Sequence, residues 1–211
     1  MSTTNPRTST AVEELQDEHR QSPPADVRKR SQCIVLNISI KQNDRHPEHN
    51  VMPDIETFRE TVVNTILSFN GIVSTVSNSD VIGIFGHTPD CTFPELTSAQ
   101  CAEKIRDLLL EQKAASPCAA IHMRASINGG EVHLGAKLAD RHFEAVGSGI
   151  NASFQVQDVT CPMQISLTRR VKEKLAPFYR FITRMPTNIG SKDVMLYYLH
   201  KQIDCPCATD D

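Results

Sequence analysis

At 211 residues, with 39% hydrophobic and 22% charged side chains, the chain suits one compact globular domain with tails. Lys and Arg total 22 against 25 Asp and Glu, a net charge of −3 that argues against a nucleic-acid partner. No apolar run approaches the roughly 20 residues of a membrane span, and the opening residues carry no hydrophobic signal region.

Residues 1–31 are rich in Ser, Thr, Pro and charge and are expected to form a disordered arm. Within it, Val12 to Arg20 has the spacing for one or two helical turns against a partner, and Val27-Arg28-Lys29-Arg30 is a short basic run. The domain is expected to span 32–201, followed by a flexible tail over 202–211. CIVLNISI (33–40) is β-branched and reads as a buried strand. A polar loop with Lys41, Arg45, His46 and His49 follows; the two histidines alone make no metal site. Asp54 caps a helix with the stripe Phe58, Val62, Ile66 and Phe69, stopped at Asn70-Gly71.

IVSTVS (72–77) and VIGIFG (81–86) read as a hairpin turning at Asn78-Ser79-Asp80. Thr97 and Gln100 have capping-box spacing for a second helix, with Ala102, Ile105, Leu108 and Leu109 inward. AIHMRASIN (120–128) alternates Ile121, Met123, Ala125 and Ile127 on one face, and Gly129-Gly130 is expected to turn it into EVHLG (131–135). CPMQIS (161–166) is a short strand and Ser166 caps a helix through Leu175. YRFITR (179–184) and DVMLYYLH (193–200) close as an antiparallel pair. The order predicts an α+β domain, a mostly antiparallel sheet with helices packed on it.

The stretch FEAVGSGINASFQ (143–155) has the frame of an anion-handling helix start. Gly147 and Gly149 permit a tight turn and close backbone approach, and a helix start presents free N–H groups. A helix beginning near Gly149 projects Asn151 and Gln155 from one face. The side chains that would complete an anion site there are neutral. Asn151 equally suits a helix start, and Gly129, Gly130 and Gly147 suit turn geometry.

Seven cysteines, at 33, 91, 101, 118, 161, 205 and 207, are expected as reduced thiols in a cytosolic setting. Cys205-Pro206-Cys207 lacks partners at zinc spacing and reads as an inert tail.

Four segments, VIGIFG (81–86), INGGEVHLG (127–135), FEAVGSGINASFQ (143–155) and QISLTRRVKEKL (164–175), occur in the order and spacing of the class III nucleotidyl cyclase catalytic domain, and the chain resembles that family over roughly 33–200. The resemblance implies a ferredoxin-like βαββαβ core working as a head-to-tail dimer, with nucleotide sites at the interface. Family members cyclise a nucleoside triphosphate with two divalent metals held by two aspartates. Those places fall here on Asn37 and Ser79, neutral groups that offset metal charge poorly, with Asp80 next door as a possible substitute. The family's ribose-orienting Asn matches Asn151. Its transition-state Arg falls on Gln155, and an amide does not replace a cationic fork. The base-recognition pair falls on Thr75 and Ser148. The triphosphate Lys falls on Ile189 before Gly190, with Lys192 beyond, and Lys41 and Arg45 lie in the altered turn after the first strand.

The resemblance therefore implies a degenerate cyclase-homology domain in cyclic-nucleotide signalling, inactive alone. It would pair as a homodimer, or as a heterodimer with another cyclase-type domain, or serve a signalling scaffold. The alternative is the non-metal half of a heterodimeric cyclase, contributing Asn151. No cofactor is expected unless a composite site survives to hold Mg or Mn with a nucleoside triphosphate. The expected location is cytoplasmic, including ciliary or membrane-peripheral assemblies.

Overall fold

The β-branched run around Cys33 becomes an interior strand of the sheet. In a computed structural model of the protein, residues 29–42, 52–75, 79–88, 90–115, 121–137, 143–184, 186–189 and 192–203 are described. The elements are β1 (Lys29–Gln42), α1 (Met52–Ser68), β2 (Ile72–Thr75), β3 (Asp80–Phe85), α2 (Pro94–Ala115), β4 (Ile121–Lys137) and β5 (Phe143–Val146). They continue with α3 (Ser148–Asp158), β6 (Ile165–Thr168), α4 (Arg169–Leu175), β7 (Tyr179–Thr183), β8 (Thr187–Ile189), β9 (Lys192–Val194) and β10 (Leu196–Gln202).

The first four strands lie in the order β2-β3-β1-β4, each antiparallel to its neighbour, which is the ferredoxin-like βαββαβ arrangement. β6 joins parallel to β4, and β10 and β7 extend the sheet antiparallel. β5 pairs with the far half of β4, and β8 with β9 forms a separate small hairpin.

The two faces of the sheet differ chemically. α1, α2 and α4 cover one face, burying Phe58, Val62, Ile66, Ile105, Leu109, Val171 and Leu175 against Leu36, Ile38, Met123 and Ile127. At roughly 1.5–3 kcal/mol for each fully buried aliphatic or aromatic side chain, this face carries most of the stabilisation. α3 lies on the other face, over a smaller apolar cluster of Cys33, Val35, Ile82, Ile84, Val132 and Ile150.

Several local expectations need correction. Gly129-Gly130 is no turn: β4 runs unbroken from Ile121 to Lys137, because its ladder with β1 continues from Gln42↔Ile121 to Lys29↔Leu134. The same ladder makes β1 longer than 33–40, and the hairpin partner of 131–137 is β5. The second helix begins at Pro94, whose ring suits a first helical position, and Thr97 Oγ1 donates to the Phe93 carbonyl from inside it. Ser166 lies buried inside β6 and caps nothing; α4 starts at Arg169, with Thr168 at its N-cap, and the strand expected at 161–166 is 165–168. Asp54 falls in the first turn of α1, which opens at Met52. Arg45, His46, His49, Gly190, Cys205, Cys207 and residues 1–28 lie outside the described residues.

Tyr179, 2% exposed on β7, ties the sheet to α2 by donating its hydroxyl to Glu103 Oε2 at 2.7 Å. Burial and the Glu103 carboxylate push its phenol above the usual range, so it stays a donor. Tyr179→Phe removes that donor and leaves Glu103 short of a partner. The expected loss is about 1.5–3 kcal/mol, read from the urea midpoint at unchanged slope.

Candidate functional site

The residues that the sequence singles out converge on the face beneath and around α3. Asn37 sits mid-strand in β1 with no solvent exposure, and its Nδ2 donates to Ser153 Oγ of α3 at 3.4 Å. Across the β1–β4 ladder its neighbour is Ser126, which donates to the Ser153 carbonyl at 3.0 Å. Asn128 Nδ2 donates to the Gly149 carbonyl at 2.9 Å, and Gln157 Nε2 to the Arg124 carbonyl at 2.6 Å. The Thr160 hydroxyl, just past α3, reaches Val156 O at 2.7 Å and Ser166 Oγ at 2.9 Å.

A polar layer thus fastens α3 to β1, β4 and β6, where the opposite face of the same strands buries Leu36, Ile38, Met123, Ile127 and Leu167. Asn37 Oδ1, Ser39 Oγ, Asn128 Oδ1, Gln157 Oε1 and Arg124 Nε are buried in it with no hydrogen-bond partner among the described residues. Orphaned buried polar atoms of this kind cost about 1–3 kcal/mol each and concentrate at functional faces.

Two glycines let α3 come down onto β4. A Cβ at Gly130 would stand 2.5 Å from the Gly149 Cα. Gly147, the N-cap of α3, has φ 148°, and a Cβ there would meet the Glu131 carbonyl oxygen at 2.3 Å. The helix start is therefore backbone on backbone. Asn151 is the fourth residue of α3 and not its cap; its N–H donates to the Gly147 carbonyl at 3.1 Å. Ser148, Asn151, Gln155 and Asp158 are all exposed, at spacings that place them along one outward stripe of the helix.

The structure does not bring Asn37 and Ser79 together. Asn37 pairs with Ile82, whereas the Ile40 N–H donates to the Ser79 carbonyl, so position 79 lies opposite Ile40 and takes the parity of the main core. Ser39 and Asp80 are the directly opposed pair, on the same face as Asn37, and across β4 the partner of Ser39 is Arg124. Asp80, Ser39 and Arg124 thus form one row across three strands. Asp80 Oδ2 accepts the Ser79 hydroxyl at 3.0 Å. Arg124 was missed by motif reading; the signal that finds it is its place among the outward residues alternating with Met123, Ala125 and Ile127.

Thr75 ends β2 opposite Val81, and Ser148 opens α3. Ile189 and Lys192 pair across the β8–β9 hairpin, and Lys41 is exposed near the end of β1. For the two divalent metals implied by the family, the residues present do not fit. Asp80 is the one carboxylate in its cross-strand row, facing a serine and then a guanidinium, and Asn37 and Ser79 differ in facing. Among the described residues no group of three or more His, Cys, Asp and Glu side chains converges as a metal site.

No family profile and no curated protein matches the sequence. Solved structures do match by shape. The adenylyl cyclase CyaB from P. aeruginosa superposes with a TM-score of 0.69 at 14% identity, over 82% of this chain and 95% of that one. The guanylyl cyclase Cya2 gives 0.68 at 18% identity, over 85% and 96%. The chain has the fold of the class III nucleotidyl cyclase domain. A third structure with this cyclase fold, the dimeric guanylyl cyclase domain of the RhoGC fusion protein from the aquatic fungus Blastocladiella emersonii, gives 0.67 at 11% identity, over 83% and 99%. Identities this low establish the cyclase fold and leave the chemistry to the residues. No helix among the described residues of this cyclase-fold chain is long and apolar enough to cross a membrane.

Proposed function

We propose that this chain is a cyclase-homology module of cyclic-nucleotide signalling that pairs with another cyclase-type subunit, or a second copy, and makes no cAMP or cGMP by itself. The observation that carries the reading is Asn37. It is sealed in the sheet with its amide given to α3, so it is a structural clamp where cyclisation would call for a metal-binding carboxylate. Asp80 alone, facing Ser39 and Arg124, supplies too little anionic oxygen for two divalent ions. Gln155 on α3 lacks the cation that stabilises charge on a reacting phosphate. Residues 1–28 and 204–211 act as appendages to the domain expected at 32–201, which β1 and β10 extend to Lys29 and Gln202, in the cytoplasm or at a ciliary or membrane-peripheral assembly.

A second reading is supported by the exposure of Asn151. An asparagine on the outward stripe of α3 is free to enter a partner's nucleotide site, making this chain the non-metal half of a heterodimeric cyclase, with Thr75 and Ser148 beside the base. Mg or Mn and a nucleoside triphosphate would then bind across the two subunits.

Thermal stability with ATP or GTP, each with and without Mn²⁺, followed by cyclase assays of the pure protein and of mixtures with an active cyclase subunit, tests both. A ligand at a hundred times its dissociation constant stabilises a fold by about 2.7 kcal/mol. The first reading expects no product from the pure protein; cyclic nucleotide that disappears in Asp80→Ala would overturn it. The second expects product only in a mixture, abolished by Asn151→Ala.

A further inference from the structure

A groove of about 760 Å³ lies on the far side of the molecule from the Asp80 row, between the end of α1, the start of β2 and the chain entering α2. Its walls include Leu67, Phe69, Ile72, Phe93 and Leu96, with the free thiol of Cys91 at its edge. Phe93 is 59% exposed, the most of any large apolar side chain among the described residues. Nothing in the polar layer or in the stripe of α3 uses this surface.

β1 delivers the N-terminal arm beside it. Residues 29–33 run past the end of β3, and Gln32 and Cys33 line a small cavity together with Pro94 and Glu95. Those two residues open the first turn of α2, whose Leu96 and Thr97, with Phe93 just before it, wall the groove. A further 28 residues precede Lys29. In that arm the aliphatic pair Val12 and Leu15 stands three apart, a spacing at which a helical turn would present both side chains together. Lys29 lies 14 residues after Leu15, and a linker of that length has a root-mean-square span of about 20 Å, enough to reach the α2 start.

We propose that the groove between α1, β2 and the α2 start is the docking site of this chain's own N-terminal segment 11–16, seated through Val12 and Leu15. Docking covers Phe93 and ties the arm to the face away from α3, leaving the α3 stripe open. A tethered segment at such range has an effective concentration near the millimolar scale, which lowers the affinity that the two aliphatic anchors must supply.

Full-length protein carrying Leu15→Cys, exposed to mild oxidant and mapped by mass spectrometry, tests this against Thr4→Cys and Ser22→Cys. A bridge from position 15 to Cys91 within one chain, forming about tenfold faster than from either control, is the expected result. Equal rates from all three positions, or a bridge only between two chains, would overturn the proposal, the latter assigning the groove to a second copy. The chain contains no tryptophan, so Phe93→Trp gives a sole reporter. Its emission is expected to be blue-shifted in the full chain and to move red when Val12→Ser and Leu15→Ser are added. Emission unchanged by those two substitutions would also overturn it.

Discussion

Replacing Asn37 by aspartate is expected to weaken the fold and to bring no metal-dependent activity, although the change places a carboxylate where the cyclase resemblance calls for one. Asn37 is fully buried, gives its amide to Ser153 and already holds one orphaned acceptor. A carboxylate deletes the donor, keeps the orphan and adds a charge. The ionisable groups facing that position are Asp80 and Arg124, both one cross-strand pair further along. An uncompensated buried charge costs about 3–5 kcal/mol. Burial raises the pKa of the new carboxyl above its unfolded value, so the loss is smallest below the unfolded pKa and grows as pH rises through the folded one. Urea melts at about pH 4 and about pH 8 check both size and sign. A variant as stable as the parent at the higher pH, or one gaining a Mn²⁺-dependent thermal shift, would show that Asn37 is not the clamp described above.

The second large effect is expected at Gly147. Any side chain there meets the Glu131 carbonyl and must adopt a backbone conformation that L-residues rarely take. Strain of about 1–3 kcal/mol adds to about 1–3 kcal/mol of overpacking. At about 2–4 °C per kcal/mol for a chain of this size, Gly147→Ala should lower Tm by about 10 °C. Gly130→Ala should carry the overpacking cost alone, because its Cβ would meet the Gly149 backbone and no left-handed φ is involved. Gly129→Ala is the control: its Cβ would meet only Ile34 Cδ1, at 3.4 Å, and is expected to be nearly neutral. Equal losses at Gly129 and Gly130 would refute the backbone contact between α3 and β4.

Much of this was legible in the chain. The stripes on α1 and α2 and the alternation Ile121, Met123, Ala125, Ile127 are period effects, and all fall in the main core. The four motif segments marked out the cyclase fold. The errors share a physical cause. Gly129-Gly130 suits a turn as well as a strand crossed closely by a helix, and only the β1 ladder and the approach of Gly149 decide between them. The facing of Asn37, Ser79 and Asp80 depends on cross-strand register, which a single residue of slip reverses and no local pattern records.

The sequence alone determined the α+β class, the apolar face of the sheet and the helix bearing Asn151 and Gln155. These follow from local periodicity and residue chemistry, which travel with the chain. Only the tertiary structure decided that Asn37 is a clamp, that Asp80 faces Ser39 and Arg124, and that β1 passes beside the groove at Phe93. Those are relations between residues distant in sequence, fixed by strand pairing and by how closely one backbone can approach another.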